Sequence, residues 1–201
     1  MTAHTMNDRT FRAGDAHKLE DPERLVWLPP ADVLSVLQLT QGMSIADVGT
    51  GTGYFALPMA GAIGERGRLF AVDLQEEMLI KLRAKLSKPD APKNISLVEG
   101  DAARTTLPGG SCDLVFLANL WHELDDHPAV LAEAKRVIRP GGKIAILDWR
   151  ADMNSPPGPP VHHRVPLDEV SRTLSGNGWS VQRSMNIGAY SYLLIAMSMN
   201  A

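Results

Sequence analysis

The chain has 201 residues, which suits one α/β domain with a complete core better than two. A formal net charge of -3, with 44% hydrophobic and 21% charged residues, is no footprint of a nucleic-acid binder, which would show a clustered excess of Lys and Arg. One cysteine (Cys112), a polar start without an apolar signal core, and no apolar run near the roughly 20 residues that span a bilayer together point to a cytoplasmic protein with no membrane partner.

Residues 1–30 read as a tail and cap segment, and residues 31–201 as the folded domain. Pro29-Pro30 closes the first segment. Val33, Leu34, Leu37 and Leu39 then predict an amphipathic helix over Ala31–Leu39, with Pro30 near its first turn and Gly42 at its end. Ser44–Val48 is a short strand leading into a glycine-rich turn, and Phe55–Ile63 is a helix stopped by Gly64. Arg68–Asp73 is almost wholly apolar, as a strand covered on both faces should be. A helix over Glu76–Leu86, a strand over Asn94–Glu99 and a strand over Cys112–Ala118 follow. A helix from about Pro128 to Ile138 is broken by Arg139-Pro-Gly-Gly142, and Lys143–Asp148 is the fifth strand.

Strand and helix alternate to this point, which predicts a parallel, doubly wound sheet. After a Pro-rich loop (Ser155–Pro160) and a helix near Leu167–Leu174, the runs Trp179–Met185 and Tyr190–Met197 are joined by a hairpin-length link. The expected fold is therefore a three-layer α/β/α sandwich. Its seven strands are six parallel and one antiparallel.

The strongest local signal is Asp47-Val-Gly-Thr-Gly-Thr-Gly53, between the first strand and the next helix. Glycines there let the backbone turn tightly and approach a ligand where a Cβ would collide. Asp73 ends the second strand about 20 residues on, where a carboxylate can hold both hydroxyls of a ribose. Asp101, in Glu99-Gly-Asp-Ala102, is placed to accept from the exocyclic amine of an adenine. Three successive strand ends thus offer ligand-suited residues at the edge where open α/β sheets bind ligands.

These residues, with Cys112-Asp-Leu-Val115 and Arg136-Val-Ile-Arg-Pro-Gly-Gly142, make the chain resemble a class I S-adenosylmethionine-dependent methyltransferase. The branch it resembles includes the ubiquinone/menaquinone-biosynthesis methyltransferases, and the likeness covers roughly Ser44 to Trp149. The resemblance implies that Gly49, Gly51 and Gly53 lie against the amino-acid part of the cofactor and that Asp47 faces its amino group. It further implies Asp73 and Leu74 at the ribose, Asp101 and Ala102 at the adenine, and backbone near Ala118–Leu120, including Asn119, by the sulfonium. Methyl transfer to a small-molecule acceptor, giving S-adenosylhomocysteine, is the implied activity.

Two other classes are weighed against it. A nicotinamide-dependent oxidoreductase needs a glycine at the sixth position counted from Gly49, where Tyr54 stands. A non-catalytic S-adenosylmethionine-binding module would share every cofactor residue.

Catalytic groups are sought after the fourth strand, in Asn119-Leu-Trp-His-Glu123. His122 is a candidate base for a hydroxyl or amine nucleophile, or else a residue that only orients the next segment. Trp121 either lines an acceptor pocket or packs. The absence of the two prolines of the Asn/Asp-Pro-Pro-aromatic sequence argues against DNA, RNA-base or glutamine methylation. Arg150 and Arg164 are candidates for an anionic substrate group; the alternative is an exposed loop. Adjacent His162 and His163, with no further spaced ligand, do not make a metal site. One cysteine removes the multi-thiol chemistry of arsenite methyltransferases. A monomer or a homodimer fits the sequence equally.

Overall fold

A computed structural model describes residues 9–153 and 157–199. The expected tail lies partly outside these residues, at 1–8, and the expected Pro-rich loop lies outside them at Ser155 and Pro156. The described chain opens with a 3-10 helix, Ala13–Glu20, and a single helical turn, α1 (Arg24–Trp27).

Seven strands form one sheet: β1 (Ser44–Val48), β2 (Arg68–Asp73), β3 (Ile95–Glu99), β4 (Cys112–Ala118), β5 (Ile138–Trp149), β6 (Trp179–Ile187) and β7 (Ser191–Ser198). Their order across the sheet is β3-β2-β1-β4-β5-β7-β6. The first five run parallel; β7 runs antiparallel to both β5 and β6, so six strands share one direction and one opposes them. Helices α2 (Pro30–Leu37), α3 (Ala56–Ile63), α4 (Glu76–Leu86), α5 (His127–Val137) and α6 (Leu167–Gly176) complete the layers.

Two apolar clusters lie on the two faces of the sheet. Val33, Met59, Ile63 and Leu82 meet Ile45, Leu69 and Phe116 on one, while Leu131, Val137, Leu174 and Trp179 meet Val115, Ile144 and Ile146 on the other. Alternate residues of β1, β4 and β5 feed opposite clusters, which is why these strands read as continuous apolar runs.

Local chemistry explains two of the helix boundaries. The side chain of Asp126 accepts the Ala129 N–H at 2.9 Å, capping α5, and Pro128 occupies its first turn. Helix α2 stops at Leu37 because Gln38 takes a left-handed conformation (φ 54°), ahead of the expected stop at Gly42.

One boundary needs correcting. Arg139-Pro-Gly-Gly142 does end the helix, but it opens no loop, since β5 begins at Ile138 and not at Lys143. Cys112 pairs with Ile138 and Leu114 with Lys143, so extra residues of β5 are absorbed in an irregularity of the ladder, with Gly141 at φ 79°.

The chain order reverses beside β1, which has β2 on one side and β4 on the other. Crossovers leave in opposite directions from such a switch point. A crevice therefore opens at the C-terminal ends of these strands.

Candidate active site

A cavity of about 1300 Å³ occupies that crevice. It is larger than most small-ligand pockets, which run to roughly 1,000 Å³. The glycine turn, Asp73, Asp101, Asn119 and His122 all line it. Asp47, Leu74 and Ala102 border it as well.

The turn is shaped by its own hydrogen bonds. Gly49 and Thr50 both donate backbone N–H to Val72 O, at 2.8 and 3.0 Å, which fixes the turn against the end of β2. Gly49 holds a left-handed conformation (φ 74°) that side chains disfavour, and an added Cβ would come within 2.8 Å of Leu120 Cδ2. Asp73 joins the turn from the next strand, accepting the Gly51 N–H at 2.7 Å and the Gln75 N–H at 2.9 Å.

Burial dominates the electrostatics here. Asp47 is buried, and burial, with the Asp73 carboxylate nearby, pushes its pKa up to about 7 against the hydrogen bond donated by Thr50 Oγ1. Asp73 is likewise raised by burial, opposed by the backbone N–H groups it binds. Two buried acids in one cradle favour a cationic partner.

Asn119 adds a third signal. It is non-glycine at φ 53°, and its Oδ1 is buried with no hydrogen-bond partner in the described structure. A strained backbone that holds an orphaned acceptor at a cavity wall is the pattern of a ligand contact.

Beyond Asn119, the 3-10 turn Trp121–Glu123 brings His122 under the tip of β5. Its backbone N–H donates to Asp148 Oδ2 at 2.9 Å, and its Nδ1 lies 2.8 Å from Asp148 Oδ1. Its Nε2 lies 3.8 Å from Glu123 Oε1. Burial alone would lower the imidazole's pKa, but the Asp148 charge and hydrogen bond outweigh it and the net shift is upward. Burial raises Glu123 to about 7.

The N-terminal segment crosses the cavity mouth. Phe11 N–H donates to Glu123 Oε2 at 3.1 Å, Ala13 N–H to Gln75 Oε1 at 2.9 Å, and Gln75 Nε2 to Phe11 O at 2.7 Å. Glu20 receives Lys85 Nζ at 2.7 Å and the Thr52 hydroxyl.

A family model described as a methyltransferase domain matches residues 46–146, half of the chain, including the glycine turn, Asp73, Asp101, Asn119 and His122 that line this cavity. The chain belongs to that methyltransferase family. A demethylmenaquinone methyltransferase of Listeria monocytogenes (serotype 4a) is 31% identical over 117 residues, 58% of this chain and 49% of the relative. One from Lactococcus lactis is 34% identical over 107 residues, 53% of this chain and 42% of the relative. The chain spans about half the length of these curated relatives. The crystal structure of an S-adenosylmethionine-dependent methyltransferase from Aquifex aeolicus matches with TM-score 0.89 at 33% identity, covering 94% of this chain and 100% of that one.

The cofactor of this methyltransferase is thus S-adenosylmethionine, and the cradle fits it: buried acids for its cationic groups, an orphaned acceptor at Asn119 and a glycine turn with its backbone at the cavity wall. The nicotinamide alternative falls with the family assignment. Tyr54, at the position that pattern reserves for glycine, donates its hydroxyl to Leu28 O at 2.7 Å.

The geometry departs from the expected roles of four residues. Gly53 does not line the cavity; it is glycine because a Cβ would sit 2.5 Å from Leu82 Cδ1 of α4. Trp121 faces the core at 1% exposure and stacks on His127, with ring centroids 4.1 Å apart. Arg150 turns outward to Asp152, at 2.7 Å. Arg164 is buried and donates to the carbonyls of Pro159, Arg150, Met153 and Pro157, so it fastens the loop that follows β5. Trp27, Trp149 and Tyr190 form one aromatic cluster of the cavity lining, and none of them carried a site role in the sequence reading.

Proposed function

We propose that this protein transfers the methyl group of S-adenosylmethionine to a small-molecule acceptor, releasing S-adenosylhomocysteine. One observation carries the reading: the glycine turn, Asp73, Asp101 and an Asp148-bound His122 converge on a single cavity. In this reading the backbone at Gly49 and Gly51 meets the amino-acid part of the cofactor. Asp73 and Leu74 hold the ribose, and Asp101 and Ala102 meet the adenine. Asn119 lies beside the sulfonium.

The bound cofactor supplies an electrophilic methyl group, open to in-line displacement. The protein's share is placement and proton removal. Holding a nucleophile in line is worth effective molarities on the order of 10⁵ M or more. His122 is the base. A carboxylate at Nδ1 accepts a hydrogen bond, so the neutral ring carries its proton there and leaves the Nε2 lone pair toward Glu123 and the cavity. Trp27 and Trp149, 5.2 Å apart, with Tyr190 beside them, give the acceptor an apolar, flat-sided seat.

A methyl-labelled cofactor incubated with the protein and fractionated metabolites tests the activity. The expected result is a labelled small molecule heavier by one methyl group, with stoichiometric S-adenosylhomocysteine. Tight cofactor binding with no labelled product across the fractions would leave a binding module instead. The ribose assignment has its own test, because Asp73→Ala should weaken S-adenosylhomocysteine binding by roughly 1–3 kcal/mol in calorimetric titration. Unchanged affinity would remove Asp73 from the ligand.

A further inference from the structure

Among the described residues, one cationic side chain buried in the cavity wall beside the glycine turn is assigned no role by the family motifs. Arg24, in α1, is 6% exposed and lines the cavity with Asp47, Gly49 and Gly51. Its guanidinium carbon lies 3.9 Å above the centroid of the Tyr54 ring, just past that turn. Its Nη1 makes a long bond to Leu19 O (3.4 Å), and its Nε is buried with no partner in the described structure.

A buried guanidinium without an anion leaves charged donors desolvated, which is costly. Burial lowers Arg24 to about 10, which still leaves it charged at neutral pH. Among the described residues no carboxylate makes an ion pair or hydrogen bond with it; Glu20 and Asp47 act on its charge only from longer range, and Glu20 is itself paired with Lys85. A ligand carboxylate reaching the guanidinium would supply the missing partner.

Arg24 is also pre-placed. Trp27 O accepts the Ala189 N–H at 2.9 Å and Leu28 O accepts the Tyr54 hydroxyl at 2.7 Å, so α1 is tied both to the β6–β7 turn and to the start of α3.

Resting on the cofactor reading above, we propose that Arg24 and Asp47 form a two-ended receptor for an α-amino-acid zwitterion, Arg24 taking the carboxylate and Asp47 the ammonium of the cofactor's tail. The receptor selects ligands that carry this tail over the bare thionucleoside.

Calorimetric titration with two probes tests this: S-adenosylhomocysteine, and 5′-methylthioadenosine, which has the nucleoside and thioether but no amino acid. Wild type should prefer S-adenosylhomocysteine. Arg24→Ala should lose about 10- to 100-fold in its affinity, the equivalent of one charge-assisted contact, and hold methylthioadenosine within about twofold of wild type. Arg24→Lys should recover part of the loss. The uncharged but polar Arg24→Gln gives the same reading should the alanine variant fold poorly. Equal loss for both probes would make Arg24 a packing residue and overturn the proposal. Unchanged S-adenosylhomocysteine affinity with a raised KM for the acceptor would assign the carboxylate to the acceptor, and equally overturn it. Wild type binding neither probe would sink the cofactor reading itself.

Discussion

Asp148→Asn is expected to lower kcat roughly 10²- to 10⁴-fold, the span typical of a lost general base, with S-adenosylhomocysteine affinity held close to wild type. The argument starts from burial. Asp148 is 1% exposed, and its two oxygens take the His122 backbone N–H and Nδ1, at 2.9 and 2.8 Å. An amide at this position offers an N–H to Nδ1, which favours the tautomer with the proton on Nε2. The nitrogen that should accept a proton then already carries one.

The pH profile separates this from a general loss of structure. In the wild type, burial works to lower the His122 pKa, but the Asp148 charge and hydrogen bond raise it further, with Glu123 adding and Arg9 opposing. A base acts deprotonated, so the rate should rise with pH through a value above the ordinary 6.5 of histidine. Removing the Asp148 charge destabilises the imidazolium, and the acid limb should move to lower pH. His122→Ala should lose as much as Asp148→Asn, and the double variant little more, because the pair acts as one unit. A near-normal rate in Asp148→Asn, with the acid limb unmoved, would remove His122 from the chemistry.

The pair also shows where sequence reading stops. His122 was visible because it follows a strand-to-loop transition at the ligand edge. Its partner lies 26 residues away, and only the β4–β5 register, with Ala118 opposite Leu147, brings the two strand tips together. Segments whose pattern is local were read closely: β2 and α4 match the expected bounds, since an apolar run and a helical stripe are written within a single window. The N-terminal segment has no such stripe. Its order comes from long-range contacts with Gln75, Glu123 and Lys85, so Arg24 and Trp27 carried no legible signal. The sequence shows Asp148 only as the end of the fifth strand, and Arg164 as a candidate for an anionic group or an exposed loop residue. In the fold the first is a buried ligand to His122 and the second a loop fastener, and both roles depend on burial that charge alone conceals.

Gly53 shows how one motif can hold two different constraints, and replacing it should cost much stability. Gly53→Ala should lower stability by roughly 2–4 kcal/mol, a fall in Tm of about 5–15 °C for a chain of this size. Two effects add. The residue sits at φ 86°, where a side chain is strained, and an alanine Cβ would lie 2.5 Å from Leu82 Cδ1 in a fully buried cluster. Leu82 has little freedom to retreat, since it is part of the apolar cluster with Phe55, Met59 and Ala71. Leu82→Ala alone should cost about 2–5 kcal/mol through the cavity it leaves. Combined with Gly53→Ala, however, it removes the collision and keeps the φ strain, so the double variant should be clearly more stable than the sum of the two losses predicts. Additive losses would mean that Gly53 answers to backbone conformation alone. A Gly53→Ala variant that melts with the wild type would dismiss both constraints. Because Gly53 lies outside the cavity, S-adenosylhomocysteine affinity measured well below the lowered Tm should change far less than stability does, the reverse of the pattern expected at Asp73.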